Sequence, residues 1–85
     1  MHPIEAYVKR HGITIKEFAK EVGITREHIY ALISGTRERP RVKTALAIER
    51  ATGGEIKAEW LIFPEKYREE IEQYLNEDKT VGVSK

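Results

Sequence analysis

The sequence predicts an all-α domain, a compact bundle of five to six short helices. Three observations carry that expectation. Apolar residues recur at helical spacing in successive segments. Glycine and proline separate those segments at short intervals. One stretch, Ile56–Ile62, alternates as a strand would, but no second convincing strand exists to pair with it. With 85 residues, the chain is long enough for one domain only. A chain this short buries roughly 60–65% of the surface exposed when unfolded, enough for one core but not for a deep substrate cavity.

The elements follow in order. Ile4, Tyr7 and Val8 form an apolar stripe over about residues 3–11, with Pro3 suited to a first helical position and Gly12 to the stop. Thr14 and Glu17 make a capping-box signature for a second helix, whose buried face is Phe18, Ala19 and Val22 and whose end is Gly23. Thr25 is a second N-cap candidate and opens a third helix that carries Ile29, Leu32 and Ile33 inward and stops at Ser34-Gly35. A fourth helix starts at Pro40 or Arg41, with Val42, Ala45, Leu46 and Ala51 toward the core, and ends at Thr52-Gly53-Gly54. Residues 57–62 admit a strand or a single helical turn, of which the turn is preferred; Trp60 is assigned to the core. Tyr67, Ile71, Tyr74 and Leu75 define a last amphipathic helix over residues 64–76. The expected division is one domain over residues 1–76 and a polar, flexible tail over 77–85.

Composition removes several function classes. There is no cysteine, hence no disulfide framework and no cysteine zinc site. The opening residues lack the charged-then-apolar order of a secretory signal, and no apolar run approaches the roughly 20 residues of a membrane helix. These features predict a soluble, cytoplasmic protein with no membrane partner. His2, His11 and His28 fall on separate elements without a paired acid, and no glycine-rich phosphate loop follows a strand, so no enzyme, metal or cofactor is expected. Net charge is only +1, but its distribution is uneven: up to Arg50 ten basic side chains face six acids, and beyond it five face eight. A basic front and acidic back suit a molecule that presents one face to a polyanion; the alternative is ordinary surface charge.

The most informative stretch is residues 15–34. Ala19 is small where the third helix must cross close over the second. Gly23 stands at a sharp turn that favours positive φ, Ile24 plugs the corner, and Ile29 and Leu32 anchor the third helix from beneath. A link as short as Gly23-Ile24-Thr25 forces the two helices to meet steeply, leaving Arg26, Glu27, Tyr30 and Ala31 on the outer side.

This segment resembles the helix-turn-helix of the phage Cro and repressor family, and the likeness extends from about Ile4 to Ala51. A looser similarity, through Thr52-Gly53-Gly54 and the segment to Pro64-Glu65, is to a Cro-like prophage subgroup. The resemblance implies a transcriptional regulator, a repressor in the Cro sense, that binds double-stranded DNA with its third helix in the major groove. Thr25, Arg26, Glu27, Tyr30 and Ala31 match the base-reading positions. Arg26 has the donors for guanine O6 and N7, Glu27 accepts from cytosine N4, and Ala31 offers a methyl contact. Ser34 matches a phosphate-touching position. Ile15 departs from the family, which often has a phosphate-binding Gln there; that task passes to Lys16 or to the basic loop of Arg37, Arg39, Arg41 and Lys43.

Each assignment has a structural alternative. Arg26 and Glu27 are also ordinary first-turn residues, Glu27 can pair with Arg26 or the helix N-terminus, and Tyr30 can brace the helix–loop junction. The resemblance further implies a homodimer on half-sites about 34–36 Å apart, with residues 60–63 and the last helix as candidate surface, or as mere cover for the core. A rival function is an antitoxin or bridging module that binds a toxin or other protein, which the acidic C-terminal half motivates.

Overall fold

The structure, a computed structural model, describes residues 2–35 and 40–83, with 78–83 described by backbone alone. Six helices lie among the described residues: α1 (Pro3–His11), α2 (Ile15–Val22), α3 (Arg26–Ser34), α4 (Val42–Ala51), α5 (Ala58–Ile62) and α6 (Arg68–Val83). No strand occurs among them, so the all-α expectation holds and residues 58–62 take the helical turn. α5 packs on α4, α3 on α2, α2 on α4, and α6 returns to cover α1.

Local chemistry explains where the first three helices begin and end. Thr14 and Glu17 form the expected reciprocal cap: the Thr14 hydroxyl accepts from the Glu17 N–H at 3.0 Å, and the Glu17 carboxylate accepts from the Thr14 N–H at 2.8 Å. The Thr25 hydroxyl accepts from the His28 N–H at 3.1 Å. The cap of α1 was not foreseen. There the His2 imidazole replaces a hydroxyl, its Nδ1 accepting from the Ile4 N–H at 3.0 Å while Glu5 accepts from the His2 N–H at 2.8 Å. Burial holds this imidazole at about 4, well below its usual value; a protonated ring would lose the acceptor that the cap requires.

The core is built on Phe18, Ile4, Ile29, Ile48 and Ile56, all fully buried, with Ala19 at 3% exposure allowing α3 to approach α2. Tyr7 packs against Phe18 at 5.5 Å between ring centroids, and Trp60, buried as expected, against Tyr74 at 5.4 Å.

Two sequence expectations need correction. In α4 the inner face is Ala45 and Ile48, not Val42 and Leu46, which are 58% and 46% exposed; Ala51 is half-buried. The helix begins at Val42, with Arg41 rather than Pro40 preceding it. Ala45 and Ile48 share a face with Thr52, whereas Leu46 leaves the helix about 100° round from Ala45. Thr52 extends that face: its buried hydroxyl donates to the Glu49 carbonyl at 3.1 Å and accepts from the Ile56 N–H at 3.1 Å. That bond closes the Gly53-Gly54 turn and drops Ile56 into the core.

The last helix also differs at both ends, running Arg68–Val83 where residues 64–76 were expected. Residues 64–67 form turns, with the Lys66 N–H reaching back to the Phe63 carbonyl at 3.1 Å. The four-residue closure of the α-helix is made only further on, where the Ile71 N–H donates to the Tyr67 carbonyl at 2.9 Å. At the far end, once a helix is nucleated each further residue adds a backbone hydrogen bond, and no proline follows to stop it.

Candidate nucleic-acid interface

The interface is built from the corner between α2 and α3. Gly23 has φ +91° and ψ 27°, the left-handed conformation its place in the sequence implied. Its N–H and that of Ile24 both donate to the Ala19 carbonyl, at 2.8 and 3.1 Å. These bonds terminate α2 and redirect the chain within three residues.

Ile29, fully buried, sets the rotational phase of α3. At about 100° per residue, Glu27, Ala31 and Ser34 lie on the side away from the core, His28 and Tyr30 on its two flanks, and Arg26 at the tip. Thr25, Arg26, Glu27, Tyr30 and Ser34 are exposed, Tyr30 by 52%. Ala31 is half-buried.

The side chains of Arg26, Glu27 and Tyr30 make no hydrogen bond, ion pair or ring contact among the described residues. The Arg26–Glu27 pair is therefore not formed; the loop of residues 36–39 beyond Tyr30 lies outside the described residues. The Thr25 hydroxyl uses an acceptor lone pair for capping and keeps its hydrogen. The Ser34 hydroxyl donates to the Ala31 carbonyl at 3.3 Å. Lys16, Arg41 and Lys43 are exposed and without a side-chain partner among the described residues. Arg37 and Arg39 lie outside the described residues.

The contrast with α1 and α6 is sharp. Glu55, in the loop after α4, accepts from Arg10 at 3.3 Å, from the Tyr74 hydroxyl at 2.9 Å, and lies 2.9 Å from His11 Nε2. Arg10 also donates to the Tyr74 carbonyl at 3.0 Å, lies 3.7 Å from Glu77, and stands over the Tyr74 ring at 4.4 Å. Trp60 donates to Glu70, Tyr67 to Glu59, and the Ala58 N–H to Glu49. Burial alone would raise the pKa of Glu55, but hydrogen bonds from His11, Tyr74 and Arg10 outweigh it and hold the carboxyl below the usual range. Burial and the neighbouring Glu55 carboxylate push the Tyr74 hydroxyl up. Sequence reasoning missed this hub because its contacts span 45 and 64 residues. Its only local trace was a basic pair ending the first helix.

Of residues 60–63, Trp60 and Leu61 are core, Ile62 is half-buried, and Phe63 is 49% exposed. An open cleft of about 300 Å³ lies between Trp60, Tyr74 and the carboxylates of Glu55, Glu70 and Glu77. Among the described residues no His, Asp and Glu group is placed to hold a metal ion, and no helix is long and apolar enough to cross a membrane.

A family model described as helix-turn-helix matches residues 4–58, which covers α1 to the start of α5 and leaves α6 outside. Neither the curated proteins nor the solved structures gave a match.

Proposed function

Because the chain belongs to the Cro/repressor helix-turn-helix family, we propose that it is a sequence-specific repressor that reads the major groove with α3. Family membership itself makes the chain a DNA-binding helix-turn-helix regulator. The finer reading rests on one observation: the side chains of Arg26 and Glu27 at the start of α3 have no partner among the described residues, whereas those between α1 and α6 are mutually satisfied. An exposed helix tip carrying free donors and acceptors, set by a rigid corner, suits recognition of base edges.

Arg26 donates in parallel to guanine O6 and N7, Glu27 accepts from cytosine N4, the Thr25 hydroxyl hydrogen and Tyr30 complete the polar edge, and Ala31 meets a thymine methyl. Lys16, Ser34, Arg41 and Lys43, with Arg37 and Arg39, hold phosphates, which sets register without reading sequence. The repressor binds as a two-fold dimer on half-sites about 34–36 Å apart. A primary role in holding a basic protein partner is less well supported, because Glu49, Glu55, Glu59, Glu70 and Glu77 already bond within the chain.

In-vitro selection from random duplexes at two salt concentrations tests this reading. The expected result is an enriched two-fold site. Arg26→Ala then costs about 1–3 kcal/mol at that site and relaxes preference at one base pair. Enrichment of no motif would remove the proposal. Equal loss on selected and random duplexes would make Arg26 a phosphate contact instead.

A further inference from the structure

We propose that α6 is a strap, latched at Tyr74, that lifts from the rest of the chain as one piece and leaves the helix-turn-helix folded beneath it. The device is independent of what α3 reads.

The core closes without this helix. Its five fully buried large side chains, Ile4, Phe18, Ile29, Ile48 and Ile56, all come from α1 through the loop after α4. The helix-turn-helix match likewise ends at residue 58, ahead of α6. The described part of α6 adds one buried side chain, Tyr74 at 4% exposure, while Ile71 and Leu75 are half-buried. The helix packs chiefly on α1 and joins α5 through the turns of residues 64–67, where Phe63 and Pro64 are exposed. A short exposed joint of this kind can absorb a rigid-body movement.

Tyr74 concentrates the attachment. Its hydroxyl donates to Glu55 at 2.9 Å, and its carbonyl accepts from Arg10 at 3.0 Å. Its ring lies 4.4 Å from the Arg10 guanidinium and 5.4 Å from the Trp60 ring. One turn earlier, Glu70 accepts from the Trp60 indole at 3.3 Å. Water can replace these polar partners once the helix lifts. Glu55 keeps Arg10 and His11, which belong to α1 and not to α6, so the loop after α4 stays tied down. An element that buries little apolar surface opens at a lower free energy than the whole domain. Lifting bares the Trp60 indole and frees one side of Arg10, while the corner between α2 and α3 keeps its shape.

Amide hydrogen exchange of the full chain, resolved by residue, tests the strap. Residues 71–77 are expected to share one protection factor, at least about tenfold below the slowest amides of α2 and α4. Two variants separate a strap from a helix that unfolds only with the whole. Ile48→Val weakens the core, which stays formed when α6 lifts. It should speed the slowest amides of α2 and α4 about two- to tenfold and leave residues 71–77 unchanged. Tyr74→Phe removes the latch bond from the closed form alone, so it should speed residues 71–77 and the core alike, by about tenfold. Residues 71–77 speeding together with the core in Ile48→Val would make α6 part of one cooperative unit and overturn the proposal. Protection equal to that of the core would do the same. Protection that falls step by step toward residue 77 would mean fraying from one end, and unaltered exchange in Tyr74→Phe would remove the latch; either result overturns the strap.

Discussion

Replacing Glu55 by glutamine should destabilise the fold by about 2 kcal/mol at neutral pH while leaving DNA affinity unchanged. Three groups converge on the two carboxylate oxygens: Arg10, His11 and the Tyr74 hydroxyl. Glutamine keeps one oxygen, enough for the tyrosine, but loses the charge that strengthens the other two bonds. The Glu55 and Arg10 side chains are 30% and 20% exposed, so their pair falls between exposed pairs at 0.2–1 kcal/mol and broken buried pairs at about 3–5 kcal/mol. His11, at 43% exposure, adds little. For a domain of this size 2 kcal/mol corresponds to roughly 8–16 °C in melting temperature. Thermal unfolding followed by circular dichroism measures it, and a double-mutant cycle with Tyr74→Phe isolates the hydroxyl's share. The pH dependence supplies a second check. Because the folded-state pKa of Glu55 is depressed below 4.5, its stabilisation is present above that value and is lost as pH falls through the folded pKa. The gap between the parent and Glu55→Gln should therefore narrow in acid. A difference below about 0.5 kcal/mol at pH 7, or a gap that widens in acid, would show that the cluster is ordinary solvated surface.

Three other outcomes follow from the same structure. Gly23→Ala should cost about 1–2 kcal/mol, the penalty of φ +91° for a residue with a Cβ; no atom lies within 4 Å of the added Cβ, so a much larger loss in denaturant unfolding would contradict this open corner. Ile48→Ala should cost about 2–5 kcal/mol and Leu46→Ala well under 1 kcal/mol, a contrast that chemical denaturation reads directly and that reverses if α4 is rotated. His2, depressed to about 4, contributes stability that is complete above its unfolded value of 6.5 and declines as pH falls from there toward 4. The total loss is limited to about the 1 kcal/mol of an N-cap, since a protonated His2 can leave its site; a His2→Ala variant whose stability shows the same decline would refute the assignment.

Much of this molecule is decided by short-range chemistry and was legible in the chain. The caps at Thr14 and Thr25, the stops at Gly12, Gly23 and Gly35, and the buried Phe18, Ala19 and Ile29 depend on residues within a turn or two of one another. The corner of residues 23–25 depends on nothing further away, so the candidate reading surface at Thr25–Ala31 was identifiable before any coordinates. What the fold alone decided involves residues far apart in sequence. Whether Val42 and Leu46 or Ala45 and Ile48 face inward depends on the rotation of α4 against α2 and α5, because both sets are apolar at helical spacing. The hub around Glu55 exists only because α6 returns to α1, bringing together charged residues that would each be solvated in an isolated helix. That Arg26 and Glu27 have no partner among the described residues is likewise tertiary: periodicity locates a side chain on a helix, but only its packed neighbours determine whether its polar atoms are already taken.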